Sequence, residues 1–405
     1  MNFLNRSDCL AITEELKNKR KPRICMLTTR GFAFNTFLCG FYEGQDILFD
    51  IDDVDLIILE PKKSYGFRKT LQQKIIRRDF TGKMVATNMT LQPISLTKEY
   101  DLFIAYLPYV EDIIHIPAIQ RWKDHCKTSI CWVNELWVTE LQDSTFNEKW
   151  LSALAQFDHI ACGLNATAKA VSALLNRPCD FIPTGVDALR FAPYPASSAR
   201  VIDIYSMGRA WQKLHESFLD IAAKQKIFYM YDTFGTGDSP VKDYRQHRDM
   251  FANIAKRAQY FVVAPAKMDA THETAGQIEI GARYFEAAAA GAILLGQSPH
   301  CESFNQMFNW PDSVIEIQPD GSDVADVLSS LSTQPERLLE ISCRNTKESL
   351  LRHDWLYRWQ QILNITGLKP TARLELREKI LKTMALQTHT EEYTGFNEPN
   401  IYNQV

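Results

Sequence analysis

At 405 residues the chain exceeds what one hydrophobic core usually organises, and its 45% hydrophobic content is ample for two. Its 45 Lys and Arg against 49 Asp and Glu leave a formal charge of −4 with no sustained basic run, which excludes a nucleic-acid partner of the electrostatic kind. No apolar run reaches about 18 residues, and Met1-Asn2-Phe3-Leu4-Asn5-Arg6 lacks a signal-peptide core, so a soluble cytoplasmic protein is expected.

In chain order, strands are expected over 23–29, 54–59, 102–107, 129–133, 159–162 and 181–183, and then over 201–206, 227–232, 260–264, 292–295 and 314–317. Helical periodicity lies between them at 149–156, 166–175, 211–223 and 249–257, and again at 373–386. Short apolar runs alternating with amphipathic segments specify an α/β fold, with parallel sheets covered on both faces. The economical division is a first domain over 1–186, a second over 187–366, and a helix with a polar tail over 367–405. That last segment either crosses back to the first domain or lies on the surface. Pro183, Pro193 and Pro195 stiffen the joint near residues 185–195, which suits two halves that hinge over a ligand.

The nine cysteines show no Cys-x-x-Cys spacing, and several fall inside apolar runs such as 24–27, which marks reduced core residues. Arg68, Lys69, Lys74, Arg77 and Arg78 form a short basic patch, read first as a solvated helix face. It leaves open an attraction to an anionic acceptor or a peripheral contact with the inner membrane face. There is no Gly-x-Gly-x-x-Gly and no Walker motif. Asp50-Ile51-Asp52 satisfies Asp-x-Asp but reads better as an acidic loop, no His/Cys cluster has zinc spacing, and neither a metal nor a cofactor is expected.

The most informative stretch runs from Arg283-Tyr284-Phe285-Glu286 through four alanines to Gly291 and an apolar strand. Alanines give a helix face smooth enough to lie close to a sheet, and Gly291 stands where a helix ends left-handed. A carboxylate at the start of such a helix can accept both vicinal ribose hydroxyls, while free first-turn N–H groups face phosphate. Glu286 is the candidate for that role, with Arg283 and Tyr284 beside it. An ordinary helix N-terminal acid is the plainer reading.

A second stretch, Phe181-Ile182-Pro183-Thr184-Gly185-Val186-Asp187, followed by Phe191 and Pro193, resembles the interdomain linker of retaining GT-B glycosyltransferases, with Thr184 in the asparagine place. Phe285, Glu286, Ala287, Ala289 and Gly291 resemble the Phe-Glu-Ala-x-Ala-x-Gly segment of the same family's second domain. The resemblance spans about residues 128–300 and implies two Rossmann-like domains facing across a central cleft. It also implies a nucleotide diphosphate sugar as donor, a glycan, lipid or small-molecule acceptor, retention of configuration, and no metal. No oligomeric state follows from it.

Charge that grows on a leaving diphosphate needs cations. Gly208-Arg209 and Lys213 resemble the family's diphosphate grip, with one residue fewer between Arg and Lys. The family's acidic pair has two Glu residues with seven between them; here Ile278 takes the first place, leaving Glu279 one position off and Glu273 farther back. Hexose recognition is expected from the loop 267–281. Gly31, after the opening strand, supplies a turn on the donor side. Asn134 and Glu135 stand where the family carries His-Asp near the acceptor, and with His115 they are the acceptor-side candidates, although His115 reads more simply as a packed residue. Two rivals share the fold: a sugar-nucleotide epimerase working through paired carboxylates, and a non-catalytic protein that binds a sugar nucleotide or glycan.

Overall fold

The computed structural model describes residues 22–30, 33, 35–78, 83–142, 144–193, 199–209, 211–225, 227–232 and 241–388. Gly31, Pro195 and the tail beyond Thr388 lie outside the described residues. The chain divides into two units: one holds the chain up to Thr184 with Glu273–Gln277 and Arg358–Arg377, the other Gly185–His272, Ile278–Tyr357 and the remainder.

The first unit is built on β1 (Ile24–Thr28), β2 (Val54–Ile58), β3 (Ile94–Ser95), β4 (Tyr100–Tyr109), β5 (Ile119–Gln120), β6 (Cys126–Glu135), β7 (His159–Cys162) and β8 (Asp180–Phe181). Its main sheet is parallel in the order β2-β1-β4-β6-β7-β8, with β3 and β5 paired separately. Leu102–Leu107 and Ile130–Val133 are fully buried, as expected of central strands covered on both faces, where alternation gives way to continuous apolar runs. The Tyr106 and Trp132 rings stack at 4.1 Å, and Trp359 meets both edge-on at 5.9 and 5.5 Å. Trp359 Nε1 donates to the Gly44 carbonyl at 2.9 Å, which satisfies its polar edge inside this core.

The turn from the Leu38–Ile51 helix into β2 consumes the acidic run. Arg23 grips Asp52 with two hydrogen bonds of 2.7 and 2.5 Å, and Arg373 pairs with Asp53. Thr371 Oγ1 donates to the Ile51 carbonyl. Asp53 and the Ile51 carbonyl thus anchor the Arg358–Arg377 segment within the first unit.

The second unit carries β9 (Ile202–Ser206), β10 (Tyr229–Tyr231), β11 (Ala258–Val263), β12 (Ile293–Gly296) and β13 (Ile315–Glu316), all parallel, in the order β10-β9-β11-β12-β13. Between β9 and β11 the chain reverses the direction in which it adds strands. In an open α/β sheet, ligands bind outside the carboxyl ends of the strands at such a switch point. The loops leaving β9 and β11 there begin at Met207 and Ala264.

The Gly-Val-Asp motif has a local cause within this unit. Val186 exchanges backbone hydrogen bonds with His353 and Trp355, at 3.0 and 3.1 Å. A Cβ on Gly185 would stand 2.9 Å from the Trp355 indole and 3.1 Å from its Cα, so only glycine fits. Asp187 caps the short Ala188–Phe191 helix, and Asp354 accepts the Ala188 and Leu356 N–H groups, each at 2.9 Å.

Candidate functional site

The Ala282–Ala289 helix is set rigidly at the switch-point end of the second sheet. Gly281 is its N-cap, so Glu286 stands in the second turn and not at the opening as the sequence pattern suggested. At the other end Gly291 adopts φ +64°, its N–H bonds Ala288, and the N–H of Ala292 bonds Ala287, the double closure of a Schellman turn. Ala287–Ala290 are wholly buried, as a smooth helix face against a sheet requires. The buried Arg200 guanidinium then clamps the turn, donating to Ala258 O at 2.5 Å, Gly291 O at 2.7 Å, Ser342 Oγ at 3.1 Å and Ala290 O at 3.2 Å. A cation among carbonyls at a helix carboxyl end complements the local dipole.

Glu286 is 3% exposed and carries an arginine on each oxygen. Arg248, from the Tyr244–Ala255 helix, donates to Oε1 at 2.5 Å, and Arg283 donates to Oε2. Burial acts to raise the Glu286 carboxyl, but Arg283 and Arg248 outweigh it and leave the group below its ordinary value. The Arg248 guanidinium lies 4.8 Å from the Phe191 ring centroid and 5.4 Å from that of Phe251, while Arg283 covers Phe251 at 4.9 Å. His247, next to Arg248, is lowered to about 4 by burial and then by the two guanidiniums, and is neutral at pH 7.

Beyond this cluster the loop after β9 turns at Gly208, which has φ +89°. Its N–H donates to Asp232 at the end of β10, at 3.3 Å. Burial raises the Asp232 carboxyl, while Arg283 and the Gly208 N–H act to lower it. Arg209 is exposed and pairs at 2.6 Å with Asp269, from the loop after β11, so this contact spans the switch point itself. Gly208, Arg209, Arg283 and Glu286 thus gather in the second unit at one end of one sheet. The cations facing solvent there are Arg209 and, with its side chain 27% exposed, Arg283, beside the exposed Asp269.

The remaining candidates are dispersed. Tyr284 is fully buried, donating its hydroxyl to the Gln297 carbonyl and packing against Phe304 and Phe308, so it serves the core under the helix. Glu279 is also buried, and its carbonyl accepts the Ala266 N–H at 3.0 Å. Lys213, on the exposed side of the Gln212–Gln225 helix, lies near Asp320, whose carboxyl is held below its ordinary value by Ser322 first and by the Lys213 charge to a lesser degree. Glu273 belongs to the first unit, where its carbonyl accepts Thr139 Oγ1 at 2.6 Å and neighbouring Gln277 accepts the Val138 N–H at 2.9 Å. Lys267, Ala275 and Gly276 all take left-handed φ in the same loop; for the two non-glycine residues that conformation costs about 1 kcal/mol or more each.

In the first unit, Asn134 and Glu135 end β6 and are half-buried. Asn134 Oδ1 accepts the Tyr106 hydroxyl at 3.4 Å, and Glu135 accepts Trp137 Nε1 at 2.9 Å. Gly163 is obligatory beside them, because a Cβ there would lie 2.1 Å from the Asn134 carbonyl oxygen. His115 is sealed in the 3₁₀ segment Val110–Ala118, hydrogen-bonded to Tyr65 at 3.0 Å, and burial pushes it down to about 4, which makes it a packed neutral histidine.

Residues 199–364, most of the second unit, match a family model described as glycosyl transferase-like. The α-glucosyltransferase solved with UDP-glucose and DNA containing an abasic site is 13% identical, with a TM-score of 0.51 over 85% of this chain and 99% of that one. The Anabaena protein Alr3699/HepE, solved with UDP and glucose, is 12% identical at a TM-score of 0.50, again over 85% of this chain and 99% of its own. The chain shares its two-domain fold with these two proteins, and its second unit carries the glycosyl transferase-like region. No curated protein sequence matches it. Within this region the buried Arg248 is the residue the sequence did not reveal. It stands 38 positions before Glu286 in an ordinary amphipathic helix, with no motif around it. Among the described residues no helix is long and apolar enough to cross a membrane.

Proposed function

We propose that the second unit binds a nucleoside diphosphate sugar at the carboxyl end of β9 and β11, and that the sugar passes to a glycan, lipid or small-molecule acceptor with retention and without a metal. The observation that carries this reading is the exposed Arg209 at the switch point, on the same sheet edge as the Arg248–Glu286–Arg283 cluster. Bound UDP or UDP-glucose in the two structural neighbours supports a uridine nucleotide as donor.

In this reading Arg209 and the Gly208 turn hold the diphosphate, Arg283 adds a second cation beside it, and Glu286 accepts the ribose hydroxyls. Lys213 is a secondary cation. Glu279 and Glu273 are assigned to the loop that reads the hexose, while Asn134 and Glu135 hold acceptor hydroxyls. The acceptor oxygen attacks the anomeric carbon on the face from which the diphosphate leaves. As the sugar–phosphate bond breaks, the acceptor proton passes to the departing phosphate oxygen, so no protein nucleophile is required. Arg209 and Arg283, turned from Asp269 and Glu286 onto the diphosphate, supply the stabilisation.

A thermal-shift panel of UDP, GDP, ADP and CMP, followed by turnover with the matching sugar donor, tests the reading. One diphosphate should raise Tm, turnover should persist in EDTA, and NMR of the product should show the donor's anomeric configuration. Failure of every diphosphate to bind, or a changed free sugar formed without acceptor, would refute it.

A further inference from the structure

The Glu286 carboxylate is shared unequally. The arginine on Oε1, Arg248, is 2% exposed and stacked between aromatic rings; the arginine on Oε2, Arg283, is 27% exposed and faces Asp232, whose carboxylate accepts the Gly208 N–H. One partner is enclosed between rings, and the other reaches the surface. A buried carboxylate with a single guanidinium could not release it without standing uncompensated in the interior, which is strongly unfavourable. With two, one can leave.

We propose that Arg248 is a positioning residue for the donor site: it keeps Oε1 of Glu286 engaged while Arg283 leaves Oε2 for the diphosphate, so that Oε2 becomes available to the ribose hydroxyls. This rests on the assignment of Glu286 to the ribose. Arg248 itself touches no ligand, and its effect reaches the nucleotide only through the orientation of that carboxylate. Arg283 couples the two halves of the site, because the diphosphate that attracts it is part of the molecule whose ribose takes its place.

The test compares the nucleoside diphosphate that binds best among UDP, GDP and ADP with its 2′,3′-dideoxy counterpart, by isothermal titration of the full chain. Wild type should prefer the ribose form roughly tenfold, the worth of a hydrogen bond to a charged acceptor. Arg248→Met should bring that ratio close to one and, because Arg283 is then held on Glu286, weaken the dideoxy form about as much as Arg283→Met does; Arg248→Lys, which retains a charge, should give an intermediate ratio. Arg283→Met should weaken both nucleotides together and keep the preference. A purely structural role for Arg248 would lower both affinities alike and leave the ratio intact, which would overturn the proposal; so would an unchanged ratio in Arg248→Lys if Arg248→Met fails to fold. Discrimination that survives the Arg248 variants sinks this proposal alone, whereas a wild-type protein that binds both forms equally sinks the ribose assignment as well.

Discussion

Arg209→Ala separates binding from folding. The side chains of Arg209 and Asp269 are 38% and 40% exposed, and their 2.6 Å pair is open to solvent and salt. Such a pair contributes about 1 kcal/mol or less to stability, so the variant should unfold within a few degrees of wild type. A hydrogen bond from the same guanidinium to a diphosphate is worth about 1.5–3 kcal/mol, which corresponds to a roughly ten- to hundredfold loss of nucleotide affinity. Asp269→Ala is the matched control. It removes the carboxylate that competes with the ligand for Arg209 and should tighten binding, most clearly at low ionic strength. Isothermal titration at two salt concentrations measures both. Equal affinity in wild type and Arg209→Ala, with Asp269→Ala also unchanged, would refute an anion-binding role for this edge of the sheet.

Other perturbations reach the scaffold. Gly291→Ala places a Cβ 2.6 Å from Thr346 Oγ1 and 3.0 Å from an Arg200 nitrogen at φ +64°, and should cost about 2–4 kcal/mol by urea unfolding. Gly208→Ala, with nothing within 4 Å, should cost only the left-handed backbone penalty of about 1–2 kcal/mol. Gly163→Ala, colliding with the Asn134 carbonyl, should disturb the end of β6, visible as altered exchange of the β6 amides. Acidification should destabilise the protein in stages. His115 titrates at about 4 when folded against an ordinary 6.5, so the unfolded chain takes the proton first and stability is lost as pH falls through that interval. The His115 share of that loss is on the order of 3 kcal/mol, and His115→Gln should remove that share while leaving the similar contribution of His247, which is also lowered to about 4. Glu286 sits below the ordinary carboxylate range, so its contribution is intact above that range and disappears only at still lower pH. Parallel urea titrations at pH 7 and pH 4.5 distinguish these groups.

The strands were the most legible part of the sequence. A buried parallel strand is a short apolar run bounded by turns, and His159–Cys162 coincides with its expected limits, while β4 and β6 extend beyond theirs because their ends are amphipathic. The Leu38–Ile51 helix went unseen, since it is buried along much of its length and shows no clean polar face. The long helices Pro335–Arg352 and Trp355–Thr366 were missed for a related reason: their buried faces include Ser342, Asn345 and Arg358, polar residues whose partners lie far away in the chain. Ser342 and Asn345 bond the Gly291 and Ala292 carbonyls at 2.6 and 2.9 Å.

Within the candidate site, Gly208, Arg209, Arg283 and Glu286 were readable because each sits in a local strand–turn–helix pattern. Tyr284, two positions from Glu286, points into the core, as a helix turns about 200° over that spacing. Arg248 was not readable at all. Its only distinction is a partner on another helix, and no spacing rule carries that information.

A crystal structure of the protein with a nucleoside diphosphate bound is the most direct measurement. The diphosphate should lie against the Gly208–Arg209 turn, with Arg283 turned toward it and the ribose hydroxyls on Oε2 of Glu286. A nucleotide bound elsewhere, with Arg283 still on Glu286 and Arg209 still on Asp269, would contradict the assignment of this sheet edge as the donor site.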